Sequence, residues 1–205
     1  MPMKPDFVFK VAPSKLRTFH FLLQQGLRLE TPVGGSVQDF LVRQLGLNSE
    51  VIDEKIQTIF LNGKAVDDPG QAFLTDGASL ALSGALPGLV GATMRRGGFY
   101  SSLRNSITFQ GGPGFQGSQK GKIVLKLFNI LLQDLGPRIL ENGFMIEESK
   151  LLDFLRRNES RLGDECQIRD ADGREISYRD LLIARLEELG KYLFVKVVAR
   201  CPPPK

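Results

Sequence analysis

The apolar positions of this chain fall into short strands and helices separated by strong turn signals. Phe7-Val8-Phe9-Lys10-Val11 alternates as a strand that Pro13 stops. Phe19 to Leu23 and Leu27 to Glu30 flank Gln24-Gln25-Gly26, which predicts a hairpin. Ser36 is placed to cap a helix, with the Asp39 charge suiting its positive end and Val37, Phe40, Leu41 and Leu45 forming its apolar face before Gly46. Ile59-Phe60-Leu61 and Ala65-Val66 enclose Asn62-Gly63, a pair that accepts the positive φ of a two-residue hairpin turn. Asp76-Gly77 repeats that chemistry before Ser79-Leu80-Ala81-Leu82.

The pattern changes after Leu82. Ala85 to Ala92 is an uncharged apolar run whose glycines and Pro87 argue against a helix. It is expected to pack between two halves of the chain; exposed, it would be a partner site. Phe109 to Gly121 is glycine-rich and reads as a linker. Beyond it, Lys122 to Phe128 fits a strand or a helix, Ile130 to Leu135 is helical, and Pro137 opens another helix that Asn142-Gly143 ends. Ser149 is expected to cap a helix over 150–162. Cys166 to Ile176 reads as a hairpin around Asp172-Gly173, Ser177 and Asp180 as the cap of a helix ending at Gly190, and Lys191 to Ala199 as a strand.

The order from Leu16 to Leu82 (strand, strand, helix, strand, short strand, loop, strand) resembles the ubiquitin-like β-grasp, in particular the sulfur-carrier branch that includes the thiamine and molybdopterin carrier proteins. That resemblance implies a sulfur-transfer or cofactor-synthesis setting. Carriers of that branch end in Gly-Gly soon after the last strand, whereas here the chain runs on and its Gly97-Gly98 pair is internal. Carrier chemistry would require cleavage after Gly98. The expected class is α+β: a β-grasp domain with its apolar extension over 1–92, a basic Gly-rich connector over 93–121, and a small α/β domain over 122–205.

Charge sharpens the connector. The 205 residues hold 27 Lys and Arg against 23 Asp and Glu, a net +4, yet no acid occurs between Gly77 and Gln133. Arg95, Arg96 and Arg104 lie in that stretch with Gly97, Gly98, Tyr100, Ser101 and Ser102. Glycines bring a ligand close to backbone amides, and Arg grips phosphate or carboxylate by paired bonds. These residues are therefore the candidate site for an acidic protein partner or an anionic small molecule. Phe99, Tyr100, Phe109 and Phe115 interleave with the bases, which keeps RNA as an alternative.

Other chemistries are excluded or left without support. Cys166 and Cys201 form no CxxC and have no paired histidines for zinc, so both are expected to be reduced and structural. His20, the only histidine, is expected to be a packed side chain. Gly111-Gly112-Pro113-Gly114 lacks the Gly-Lys-Ser/Thr of a phosphate loop, and a calcium loop begun at Asp170 would place Leu181 where glutamate is needed. No nucleophile, base and orienting group can be assembled. The sequence specifies no cofactor. It has no apolar run of about 18 residues for a membrane span and no signal-peptide core, so a cytoplasmic location is expected.

Overall fold

A computed structural model describes residues 4–111, 119–183 and 191–200. The chain is mixed α+β and divides into two compact units, Arg28–Asp134 and a discontinuous one made of Met1–Leu27 with Leu135–Lys205. The sequence boundaries at 92/93 and 121/122 both fall inside Arg28–Asp134. No helix among the described residues is long and apolar enough to cross a membrane.

Strands are numbered along the whole chain. The discontinuous unit begins with β1 (Phe7–Val11), a 3-10 turn over Pro13–Phe19 and α1 (His20–Gln25). The expected strand over Phe19–Leu23 is thus helical. The cause is spacing: Leu16, Phe19, Leu22 and Leu23 are all buried, a three-to-four-residue repeat that only a helical stretch can aim at one core. Gly26, at φ 109°, then breaks the helix.

Unit Arg28–Asp134 contains β2 (Leu27–Val33), α2 (Val37–Asp39) running into a π-helical turn over Phe40–Gln44, α3 (Ser49–Lys55), β3 (Thr58–Leu61), β4 (Lys64–Ala65), β5 (Ser79–Ser83), α4 (Gly88–Met94), a 3-10 segment over Phe99–Ile107, β6 (Gln119–Phe128) and α5 (Leu131–Asp134). Ser36 caps α2 as expected: its hydroxyl accepts from the Asp39 amide at 3.0 Å, and the Asp39 carboxylate accepts from the Ser36 amide at 3.3 Å. The Ser36 hydroxyl also donates to the Asp39 carboxylate at 2.8 Å, and that bond, with the one from the Ser36 amide, holds the Asp39 pKa below the usual carboxylate value. Asn62 and Gly63, at φ 52° and 78°, turn β3 into β4. Strand order is β4-β3-β5-β6-β2, with β5 antiparallel to β3 and parallel to β6. Ile59, Leu61, Leu80, Leu82, Ile123, Leu125 and Leu127 are buried with Val37, Phe40, Leu41 and Ile52 as the unit's core.

The rest of the discontinuous unit is α6 (Gly136–Asn142), β7 (Phe144–Glu147), α7 (Glu148–Arg157), α8 (Glu159–Leu162), β8 (Gln167–Asp170), β9 (Glu175–Ile176), α9 (Tyr178–Ile183) and β10 (Tyr192–Ala199). The N-cap of α7 is Glu147 rather than Ser149, and Asn158 breaks the helix expected to continue to 162. Ser177 does cap α9, accepting from the Asp180 amide at 3.0 Å; the expected stop at Gly190 lies outside the described residues. Strand order is β7-β10-β1-β8-β9. Strand β1 is parallel to β10, with Phe9 beside Val197, and antiparallel to β8, with Phe9 beside Ile168. Phe9, Phe19 and Phe154 stack in sequence through the core at 6.1 and 5.1 Å.

Each unit therefore has the same five-position sheet. An edge hairpin (β4/β3 or β9/β8) is followed by a strand antiparallel to it (β5 or β1), then by one parallel to that (β6 or β10), then by a last strand (β2 or β7). In one unit the third position comes from the continuous chain; in the other the N-terminal strand fills it.

Candidate functional site

The acid-free connector is built structure over 84–109. Pro87 is the N-cap of α4, where a residue without an amide proton costs the helix nothing, so the expected absence of a helix here is corrected. Gly91 is required inside it, because a Cβ there would collide with the Leu86 carbonyl. The segment leaves after β5 and returns beside β4, where the Phe109 amide donates to the Ala65 carbonyl at 2.8 Å.

Arg104 holds this segment in place. Its side chain is only 2% exposed, and its Nη2 meets Asp67 Oδ1 at 2.6 Å. Nε donates to the Thr93 carbonyl at 2.7 Å and Nη1 to Thr108 Oγ1 at 2.8 Å. One guanidinium thus ties the end of α4 and both sides of the 3-10 segment to the loop after β4. The same Asp67 oxygen accepts the Gly97 amide at 2.8 Å. Arg96 donates to Asp53 at 2.9 Å and to the Ile52 carbonyl at 3.3 Å, while its own amide bonds the Gln57 carbonyl at 2.8 Å.

These bonds engage many of the donors of the expected grip for negative charge. Arg104 is buried, Arg96 is paired, and the Gly97, Gly98 and Ser101 amides are spent on Asp67, Arg95 and Gly98. Of the eight predicted residues, Arg95, Tyr100 and Ser102 are the exposed side chains. A recess of about 360 Å³ beside Arg96 and Gly97 is lined by Asp53, Asp67 and Asp68, so carboxylates outnumber the guanidinium there and an anion is disfavoured. Phe109 is half-buried, and Phe115 lies outside the described residues.

What the segment offers instead is apolar. Leu89 and Val90 on α4 are 68% and 70% exposed, and Phe99 and Leu103 on the 3-10 segment 91% and 71%. Tyr100 and Ile107 are also exposed, and the Phe99 and Tyr100 rings meet edge to face at 5.1 Å. The partner-site option for Ala85–Ala92 is legible in the sequence, whereas Phe99 reads there as a stacking ring and Tyr100 as a stacking ring and a candidate site residue. The signal available was the recurrence of large apolar residues at 99, 103 and 107 in a stretch without acids.

Burial, with the Arg17 charge, holds the His20 pKa below its ordinary value, so the imidazole stays neutral at pH 7. No cluster of metal-ligating side chains occurs among the described residues. Burial pushes the Cys166 thiol up to about 12. It is therefore expected to react with iodoacetamide at pH 8 at least ~10-fold more slowly in the native chain than after denaturation, since the thiolate is the nucleophile. Peptide mapping checks this, and equal rates would contradict it. Cys201 lies outside the described residues. No family model, curated protein or solved structure matches the chain.

Proposed function

We propose that this chain is a non-enzymatic binding module, a scaffold related to the β-grasp carriers, that engages a protein partner through residues 84–109. The observation that carries the reading is the pairing of a buried Arg104 clasp with large apolar side chains held out in solvent. Ordering a segment costs conformational entropy, and a fixed apolar surface with no internal contacts to reward that cost is what a docking site requires. Exposed Arg95 and the absence of acids from Gly77 to Gln133 favour a partner whose apolar patch is rimmed by Asp and Glu. Of the element order expected for a β-grasp, the opening hairpin is not formed, and β6 occupies the place beside β5.

Release of a carrier by cleavage after Gly98 fits less well. The Gly97 amide is held by Asp67, and the cut would sever β6 from the chain that carries β5. No free tail would result.

A photoreactive residue in place of Val90, introduced into the full chain in its source cells, tests the reading. A single protein species is expected to cross-link. The pair Leu89→Asp with Val90→Asp should lower its capture at least ~10-fold with the thermal midpoint unchanged, as for anchors at an interface centre. Arg95→Glu should lower it less. Capture unaffected by both variants would remove the proposal.

A further inference from the structure

We propose that the open face of the sheet β7-β10-β1-β8-β9 binds single-stranded nucleic acid. The argument is independent of residues 84–109. It begins with alternation: Phe7, Phe9 and Val11 of β1, Leu193, Val195 and Val197 of β10, and Ile168 of β8 are buried in the core. Their neighbours necessarily point to the other side of the sheet. Those neighbours are Val8 and Lys10 on β1, Phe194, Lys196 and Val198 on β10, and Gln167 and Arg169 on β8, all half-buried or exposed.

Register assembles them into rows. Lys196, Val8 and Arg169 lie side by side across three strands, and Val198, Lys10 and Gln167 form the next row. Strand spacing puts Lys196 and Arg169 roughly 10 Å apart with Lys10 between and below them. Among the described residues none of the three cations makes an ion pair, although ten such pairs occur there. The acids at the margins are otherwise engaged. Asp6 accepts the Phe194 amide at 2.7 Å, Glu147 accepts from Tyr192 at 3.0 Å and pairs with Lys150, and Asp170 accepts the Asp172 and Arg174 amides at 2.9 Å. Glu175 stands opposite Arg169 in the β8–β9 register without closing an ion pair.

Along the same face β10 reads Tyr192, Phe194, Lys196. Gly143 lies against the Phe194 ring and the Lys196 stem; a Cβ there would stand 2.5 Å from the ring's Cζ. Like charges set close on a sheet repel one another and are costly without a ligand. Cations spaced along a flat sheet with adjacent rings match a flexible polyanion: phosphates meet Lys10, Lys196 and Arg169, and unstacked bases lie on Phe194. A duplex keeps its bases stacked and would leave the rings unused, so the occupant is single-stranded.

The test is fluorescence anisotropy of the full chain with a labelled 12-nucleotide oligo(U) RNA, and with oligo(dT), across a salt series. Three phosphate contacts predict a log–log salt slope of about −2, at about 0.7 per contact. Lys10→Glu with Lys196→Glu should weaken binding at least ~10-fold and flatten the slope to about −0.7. Phe194→Leu, which keeps an apolar side chain over Gly143, should weaken binding ~10-fold at an unchanged slope, the signature of lost stacking. Arg156→Glu with Arg157→Glu, on α7, should leave affinity within ~2-fold of the starting chain by the same reasoning. Circular dichroism confirms folding of each variant. No binding at low salt, equal loss from the α7 variant, or displacement of the RNA by poly-glutamate at equal charge would overturn the assignment; the last would give the face to an acidic protein.

Discussion

Replacing Arg104 by methionine is expected to release residues 84–109 from the loop after β4 and to cost about 3 kcal/mol of stability. Methionine keeps much of the apolar stem but removes every donor. The Thr93 carbonyl, Thr108 Oγ1 and Asp67 Oδ1 then lose charged partners at 2.7, 2.8 and 2.6 Å. Asp67 is about one-third exposed and can recover water, which keeps the loss below that of a fully buried carboxylate left alone. Urea unfolding should show the shift, and limited proteolysis should show new cuts within 84–109. Leu103→Ala, on the neighbouring exposed residue, should stay within about 0.5 kcal/mol of the parent. A proteolytic pattern unchanged by Arg104→Met would show that the segment is held by something else.

Phe9→Ala is expected to cost about 3–5 kcal/mol, and removing residues 1–12 to unfold the unit to which β1 belongs. Phe9 has no exposure, it contacts Phe19 at a centroid distance of 6.1 Å, and its strand lies between β10 and β8. Deleting that strand leaves two strand edges without main-chain partners and opens the core that Phe7, Phe9 and Val11 fill. Amide exchange of Arg169, Lys196 and Val198, whose amides face β1, reports the outcome: protection should vanish in the truncated chain. Protection retained there would mean that β8 and β10 re-pair without β1, and the sheet order would need revision.

The parts of this fold legible in the sequence are those whose cause is local. Asn62-Gly63 specifies a hairpin because positive φ is needed at both positions, and Ser36 with Asp39 specifies a helix start because both partners lie within four residues. Strand β10 and the β8–β9 hairpin follow from alternation and a Gly173 turn in the same way. The failures are non-local. Nothing in Phe7–Val11 indicates that its parallel partner is Val195–Ala199, and nothing near Gln119 indicates that β6 stands beside β5. The expected hairpin at Gln24–Gly26 failed because Phe19–Leu23 fits strand alternation over five residues but helical spacing once Leu16 is counted. Helix α3 is not evident from the apolar pattern, although Asn48 caps it by accepting the Val51 amide at 2.8 Å.

The candidate site divides along the same line. A depletion of acids is a compositional signal, and it drew attention to Arg95, Arg96 and Arg104 together. Which of them faces solvent depends on Asp53 and Asp67, both supplied by distant sequence. The carboxylates that neutralise the connector's arginines lie outside the acid-free stretch, so counting charge within it overstated the free positive charge. The apolar residues are the converse: unremarkable by composition, they become informative only once Leu89, Val90, Phe99 and Leu103 are seen to be exposed.

Hydrogen exchange at single-amide resolution on the unmodified chain tests most directly whether 84–109 is a fixed surface. Slow exchange is predicted at Arg96, Gly97 and Phe109, whose amides donate to Gln57, Asp67 and Ala65, and loss of that protection in Arg104→Met. Exchange at unstructured-chain rates for these three amides in the parent protein would contradict the account.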